Sequence, residues 1–219
     1  MSAVKSVRTY VNRFLGLGWA RVFLVLGIIF VILTLVSPLW AITDSGGPGE
    51  YDTTTYGWTS VTVTTYHGGV WESTATLSYN ARGFDAHAIA NALGTSYVLS
   101  IVLLIVFFAA VALYSIESVH RLPGLGLLIL GLIVVVFAFV ALLYPVLTVP
   151  SAAAADVGNA AITGYWGSAG SLSWGAALGW WFLLIGVILG IVGGVWPFLK
   201  SMRQPMVRAP PPREWQVER

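Results

Sequence analysis

Residues 176–199 read AALGWWFLLIGVILGIVGGVWPFL, an apolar run without a single ionisable side chain. About 20 such residues form a helix long enough to cross the roughly 30 Å hydrocarbon core of a bilayer. Three other runs, residues 21–42, 94–116 and 123–149, have apolar cores of comparable length. None shows the alternation of a transmembrane β-strand, and a span must satisfy its backbone hydrogen bonds internally. The sequence therefore predicts four transmembrane helices.

The composition points to the same class of protein. Of the 219 residues, 57% are hydrophobic and only 9% are charged, and the mean hydropathy is +0.82. A soluble domain carries about 25% charged residues, so this chain has too few to cover a water-facing surface. Soluble, collagen-like and intrinsically disordered proteins are excluded on these grounds. The lack of Cys excludes disulfides and thiolate metal sites.

The basic residues set the predicted orientation. Ten of the eleven fall in segments that four spans place on one side, and only Arg82 falls on the other. With the acidic residues included, the two sides carry +7 (ten basic, three acidic) and −5 (one basic, six acidic), which gives the net charge of +2. By the positive-inside rule, both termini are cytoplasmic. We expect a multi-pass protein of the cell membrane in which the basic balance reflects topology and not nucleic-acid binding.

The four spans leave five other segments. These are a basic, amphipathic cytoplasmic segment (1–20), a first outer loop (43–93), a cytoplasmic turn (117–122), a second outer loop (150–175) and a cytoplasmic Pro-rich tail (200–219). The second outer loop is rich in Ala, Gly and Ser, which predicts an irregular cap or a short interfacial helix.

The first outer loop carries the signal of a β-hairpin. Strand-forming Thr, Val, Tyr and Trp flank Gly68-Gly69, a two-residue turn signal. Such a turn pairs Tyr66 with Trp71 and Trp58 with Tyr79, so that one face carries aromatic pairs at both ends. We therefore predict an all-α membrane four-helix bundle with a small extracytoplasmic antiparallel β-sheet, and take these four aromatic residues as candidate partner contacts.

A glycine stripe in the fourth span is a second candidate contact. Gly186, Gly190 and Gly194 are four residues apart, so they line one helix face and allow another backbone to approach closely. The stripe packs either within its own bundle or against another subunit, and both interpretations stay open.

The chain shows no sign of catalysis. Its four apolar cores lack the Asp, Glu, Lys, Arg and His that ion-coupled transporters place in the membrane, and no nucleophile-elbow, P-loop or metalloprotease motif occurs. We predict no enzyme activity, catalytic residue, cofactor or metal. His67, Glu72, Asp85 and His87 are residue types that bind metals, but their spacing matches no recognised site.

Short motifs add a family resemblance. Pro38-Leu39-Trp40 closes the first span, and Gly57-Trp58 and Gly69-Val70-Trp71 lie in the predicted strands, while Ala88–Leu93 precedes the second span. Together with the four spans and the strand-bearing first loop, they resemble the tetraspan architecture of claudins and peripheral myelin proteins. The cysteine pair of the claudin first loop has no counterpart here.

The resemblance implies lateral or cell-to-cell protein contact through the outer loops, with Trp40 and Trp71 as aromatic anchors of the first loop. Our first hypothesis is accordingly a non-catalytic protein that binds other membrane proteins, or further copies of itself, through the outer β-loop and the glycine stripe. The second is a small accessory subunit of a larger membrane enzyme or respiratory complex. The third is a channel for neutral solutes.

Overall fold

The structure is a computed structural model that describes residues 18–81, 85–116 and 124–203. The predictions for residues 1–17, for the turn at 117–122 and for the tail from residue 204 lie outside these ranges. The described residues form four helices and six strands: α1 (Trp19–Leu35), β1 (Trp40–Gly47), β2 (Glu50–Tyr56), β3 (Ser60–His67), β4 (Val70–Ser78), α2 (His87–Leu113), α3 (Gly124–Val157), β5 (Gly167–Ala169), β6 (Leu172–Ala176) and α4 (Leu178–Arg203).

Three of the helices are long and apolar enough to cross a membrane, which indicates a membrane protein. They are α2, α3 and the Leu178–Met202 portion of α4. Helix α1 is apolar but has only 17 residues, which corresponds to about 25 Å.

The first predicted span, 21–42, is wrong at its end. Helix α1 stops at Leu35, and Trp40–Ile42 belong to β1. Pro38 disfavours helical geometry at the residue before it, and the chain turns there into a strand whose backbone hydrogen bonds are satisfied by pairing.

The helices α2 and α3 are both longer than predicted at the end that faces the sheet. Helix α2 begins at His87 as one continuous helix, and α3 continues through Pro150 to Val157. The two ends are joined because the Asp156 carboxylate accepts hydrogen bonds from the backbone N–H groups of Ala88 (3.2 Å) and Ile89 (2.7 Å). A carboxylate at this place satisfies orphan donors of α2 and complements its dipole.

The sheet is antiparallel throughout and has the order β4-β3-β2-β1-β6-β5. Its strands β5 and β6 come from the second loop, so the predicted irregular cap or interfacial helix is wrong. They form a hairpin that pairs with β1, with Trp40 opposite Ala176 and Ile42 opposite Trp174. Both loops therefore build one sheet.

The predicted hairpin around Gly68-Gly69 exists, but its register is only partly correct. Tyr66 pairs with Trp71 as predicted. The same two-residue turn places Ser60 opposite Leu77, whereas the structure pairs Ser60 with Ser78. A bulge near Glu72 adds one residue to β4 and shifts every pair beyond it.

The sheet rests on the helix ends through a core rich in aromatic side chains. Trp40 is fully buried, and its Nε1–H donates to the Tyr165 carbonyl at 2.9 Å. The Tyr165 hydroxyl donates in turn to the Leu39 carbonyl at 3.2 Å. These bonds tie the second loop to the start of β1, where Tyr56 also packs on Trp40.

Arg21 differs from the other basic residues counted in the topology argument. It lies in the first turn of α1 and is only 1% exposed. It therefore belongs to the helix bundle and not to a solvated basic segment.

Candidate interaction surface

The sheet has one face against the helices and one face away from them, because side chains alternate along each strand. Trp40, Tyr56 and Val61 point to the helices and are buried. The residues between them point the other way. We call this opposite face the threonine face, since hydroxyl side chains occupy its two central rows.

The outer of these two rows crosses all six strands. It consists of residues that pair directly from strand to strand: Ser168, Ser173, Thr43, Thr53, Thr64 and Thr74. The Thr43 and Thr53 hydroxyls lie 3.3 Å apart, and the Thr74 hydroxyl donates to that of Thr64 at 3.4 Å. The row is a continuous, uncharged line of hydrogen-bonding groups.

The inner row, nearer the helices, repeats the pattern on three strands. Thr55, Thr62 and Thr76 are paired in register, and the hydroxyls of Thr62 and Thr76 lie 3.1 Å apart. The two rows give each of β2, β3 and β4 a Thr-x-Thr sequence. The strands that carry these residues are about 4.8 Å apart, and successive threonines of one strand are about 7 Å apart.

An aromatic row borders the threonine face at the end away from the helices. Tyr51, Tyr66 and Trp71 pair across β2, β3 and β4, and the two Tyr rings stack with centroids 4.4 Å apart. The Trp71 indole is 59% exposed, and its Nε1–H donates to the Thr74 hydroxyl at 2.9 Å. This bond holds the indole beside the outer row.

Acidic side chains gather near the tip of the sheet, with Asp44 and Asp52 on the face opposite to the threonine face. A cavity of about 220 Å³ there is lined by side chains that include Asp44, Glu50, Asp52 and Glu72. His67 Nδ1 lies 3.2 Å from Glu50 Oε1, and both side chains are well exposed. Within residues 18–81, 85–116 and 124–203, no three His, Cys, Asp or Glu side chains gather to hold a metal.

At its other end, the sheet meets the helices at two cavities of about 410 and 420 Å³, and Thr55 and Thr62 of the threonine face line the first of them. Trp58 and Thr59 line both. The Trp58 Nε1–H donates to the Thr34 carbonyl at 2.7 Å, and its ring packs on Tyr97. Trp58 therefore fixes the sheet to α1 and α2.

Burial raises the pKa of three tyrosines at this junction. It raises the pKa of the Tyr56 phenol to about 12, and the negative charge of Asp156 adds to the shift. Burial also raises the pKa of Tyr79, whose hydroxyl donates to the Gly57 carbonyl at 2.8 Å, and that of Tyr165. All three are neutral hydrogen-bonding groups at neutral pH and are not candidate bases.

The longer of the two free edges of the sheet is β4, and the other is the three-residue strand β5. Every one of the nine residues of β4 is exposed, including Val70 (70%), Trp71 (59%) and Leu77 (47%). Natural proteins protect edge strands with Lys, Pro or a covering segment. Strand β4 contains neither Lys nor Pro, and its one charged residue is Glu72.

The four predicted aromatic contacts thus separate into two groups. Tyr66 and Trp71 lie at the far end of the sheet, whereas Trp58 and Tyr79 lie at the junction with the helices. Of the two aromatic anchors implied by the resemblance, Trp40 is buried in the core and Trp71 is exposed. The sequence reasoning missed the threonine face, although the Thr-x-Thr repeat was visible.

The predicted glycine stripe lies inside the bundle. A Cβ on Gly186 would lie 3.2 Å from the Gly27 carbonyl oxygen of α1, and one on Gly190 would overlap the Phe107 ring of α2. A Cβ on Gly194 would come within 2.9 Å of Val134 of α3. These three glycines therefore let α4 approach the other three helices of the same chain.

This chain matches no protein-family model and no curated protein. Its function has to be argued from the surface described above.

Proposed function

We propose that the chain spans the cell membrane four times, with the sheet outside and both termini in the cytoplasm. The end of α1, the start of α2, the end of α3 and the start of α4 all adjoin the sheet, so the sheet sits at one end of the bundle. The positive-inside rule puts the other end, which is rich in Lys and Arg, in the cytoplasm.

We further propose that the protein is not an enzyme and mediates contact with other membrane proteins or with copies of itself. The observation that carries this proposal is the edge strand β4, which is exposed over its full length and bears apolar side chains. An open edge offers backbone N–H and C=O groups to a partner strand, and exposed apolar side chains next to it add specificity.

The test replaces two exposed apolar residues of β4 by lysine, in the double variant Val70→Lys/Leu77→Lys. Inward or edge lysines block strand addition because pairing would bury their charge. The matched control is Ala160→Lys/Thr163→Lys, which adds the same charge to exposed loop residues. Each variant is purified in mild detergent, sized, and analysed for bound proteins by mass spectrometry.

We expect the wild type and the control to retain a bound protein or a defined homo-oligomer, and the β4 variant to lose it. A stoichiometric foreign subunit would identify the chain as an accessory subunit of a membrane complex, whereas a homo-oligomer would favour the self-associating, claudin-like alternative. If the β4 variant kept the same assembly as the control, contact through this edge would be refuted.

The structure offers less support for the neutral-solute channel. Among the described residues of the spans, the buried Ser and Thr side chains are Thr34, Ser96 and Ser100, and each donates to the carbonyl four residues earlier in its own helix. Such back-bonded groups do not favour a polar path.

A further inference from the structure

We propose that the threonine face is a binding site for a neutral glycan, an uncharged chain of pyranose sugars. This site uses side chains on one face of the sheet, among them Trp71 and Thr74 of β4. The protein contact proposed above uses instead the backbone edge of β4 with Val70 and Leu77. It consists of the two threonine rows, the aromatic row that borders them and the cavity at their base.

The first argument is the hydrogen-bonding capacity of the face. A Thr hydroxyl has one donor and two acceptor positions, so the Thr–Thr bonds described above leave acceptor capacity unused on every member. A sugar presents hydroxyl groups of the same kind at regular intervals along its chain. Along the outer row, one hydroxyl-bearing residue follows another at the strand spacing of about 4.8 Å. This repeat is similar to the length of one sugar unit.

The second argument is the cavity of about 410 Å³ at the base of the inner row. Thr55 and Thr62 belong to both the row and the cavity. The hydroxyls of Ser37, Ser60 and Tyr97 also line it, and within the described part of the chain no hydrogen bond is formed by these three side chains. The cavity therefore adds polar, uncharged groups that are available to a ligand.

The third argument is the exposed indole of Trp71 beside the outer row. The C–H face of a pyranose ring is apolar, whereas its hydroxyls lie around the rim. A large aromatic ring next to hydrogen-bonding groups suits both parts of such a ligand. The bond to Thr74 holds this indole in place before any ligand arrives, which lowers the entropy cost of binding.

Charge selects a neutral ligand. The two threonine rows contain no charged side chain. Asp44 and Asp52 directly follow or precede the outer row on β1 and β2 but point to the opposite face, and Glu50 and Glu72 lie near the tip. The negative charge of this end of the sheet repels polyanions such as uronic-acid polymers, and the rows themselves offer a cation no carboxylate.

The binding experiment uses the full chain in phosphatidylcholine nanodiscs, because the sugar headgroup of maltoside detergents would compete for the site. The probes are cellohexaose, maltohexaose and mannohexaose, with hexagalacturonate as the anionic comparison. Binding is followed by tryptophan fluorescence and by isothermal titration. A second arm offers the same neutral sugar as the headgroup of a glycolipid in vesicles, which distinguishes a free polysaccharide from a membrane lipid as its source.

The test variant is Thr53→Val/Thr64→Val, which keeps the β-branched shape and removes two hydroxyls from the outer row. The control is Thr54→Val, the same change on the same strand but toward the helices. Losing two neutral hydrogen bonds is expected to weaken binding about tenfold, and Trp71→Ala should weaken it at least as much. Val70→Lys/Leu77→Lys should leave it unchanged, so failure of this proposal and failure of the edge proposal are distinguishable.

Three results would overturn the proposal. The first is that no neutral oligosaccharide binds the wild type at millimolar concentration in either arm. The second is that Thr53→Val/Thr64→Val binds as well as the wild type. The third is that the control Thr54→Val loses as much binding as the double variant, since the effect would then come from the fold and not from the face.

Discussion

Replacing Gly193 by Ala should loosen the contact between α1 and α4 and lower the stability of the bundle. A Cβ at this position would lie 2.7 Å from the Ala20 carbonyl oxygen, 2.8 Å from Leu24 Cγ and 3.0 Å from the Leu24 nitrogen. Two of these atoms are backbone, so no side-chain rotation relieves the overlap. Restoring an ordinary contact of 3.4 Å requires the helices to separate by about 0.7 Å.

The magnitude follows from two opposing effects. Overpacking of this kind costs about 1–3 kcal/mol, and Ala stabilises a helix by about 1 kcal/mol relative to Gly. The free energy of unfolding should therefore fall by about 1 kcal/mol, which lowers the Tm of a chain of this size by about 2–4 °C.

Gly94→Ala is the matched control. It makes the same substitution inside helix α2, where nothing lies within 4 Å of the added Cβ, and should raise the Tm by about 2–4 °C because only the helix-propensity gain remains. Both variants are compared in the same detergent by intrinsic tryptophan fluorescence during heating. If both shift the Tm in the same direction, the close approach of α1 and α4 at Gly193 is not the reason for the glycine.

Two further predictions concern the junction of sheet and helices. Asp156→Ala should lower the Tm by about 2–4 °C, since removing a helix cap costs about 1 kcal/mol, whereas Asp44→Ala at the exposed tip should change it little. Equal shifts in the two variants would contradict the capping role. Burial of Tyr56 should also make the Tm fall between pH 10 and 12, because unfolded tyrosines ionise near 10 while folded Tyr56, with a pKa of about 12, remains protonated. Tyr56→Phe should reduce this alkaline loss, and an unchanged loss would argue against burial of that phenol.

The helical part of the fold was predictable because long apolar runs have few alternatives. Ser37-Pro38 disfavours helix and marks the end of α1. The apolar run continues to Ile42, however, so hydropathy alone places the end of the span too late. Helix α3 runs through Pro150, where a helix end is normally expected. The cap that Asp156 of α3 gives to α2 is a tertiary contact that no local pattern reveals.

The sheet was predictable only in part, and the reasons are physical. Strands β5 and β6 consist mostly of Gly, Ser and Ala, with little β-propensity of their own, and pairing with β1 and Trp174 packing make them strands. The bulge near Glu72 shifts the hairpin register by one residue, and a turn signal says nothing about such an insertion. The Thr-x-Thr repeats were visible, but their alignment depends on that register.

The pairing of β1 with β6 has a consequence for the order in which the sheet forms during protein synthesis. Residues joined at this pairing, such as Ser45 and Ser171, are 126 positions apart, and two long helices are synthesised between them. During translation one edge of β1 therefore stays unpaired until β6 has been synthesised. Such a late, long-range closure is slow and exposed to mispairing. The last hairpin to emerge completes the sheet. A chain that stops before β6 therefore has two long open edges, β4 and β1, whereas the complete sheet has one long edge, β4, and one short edge, β5.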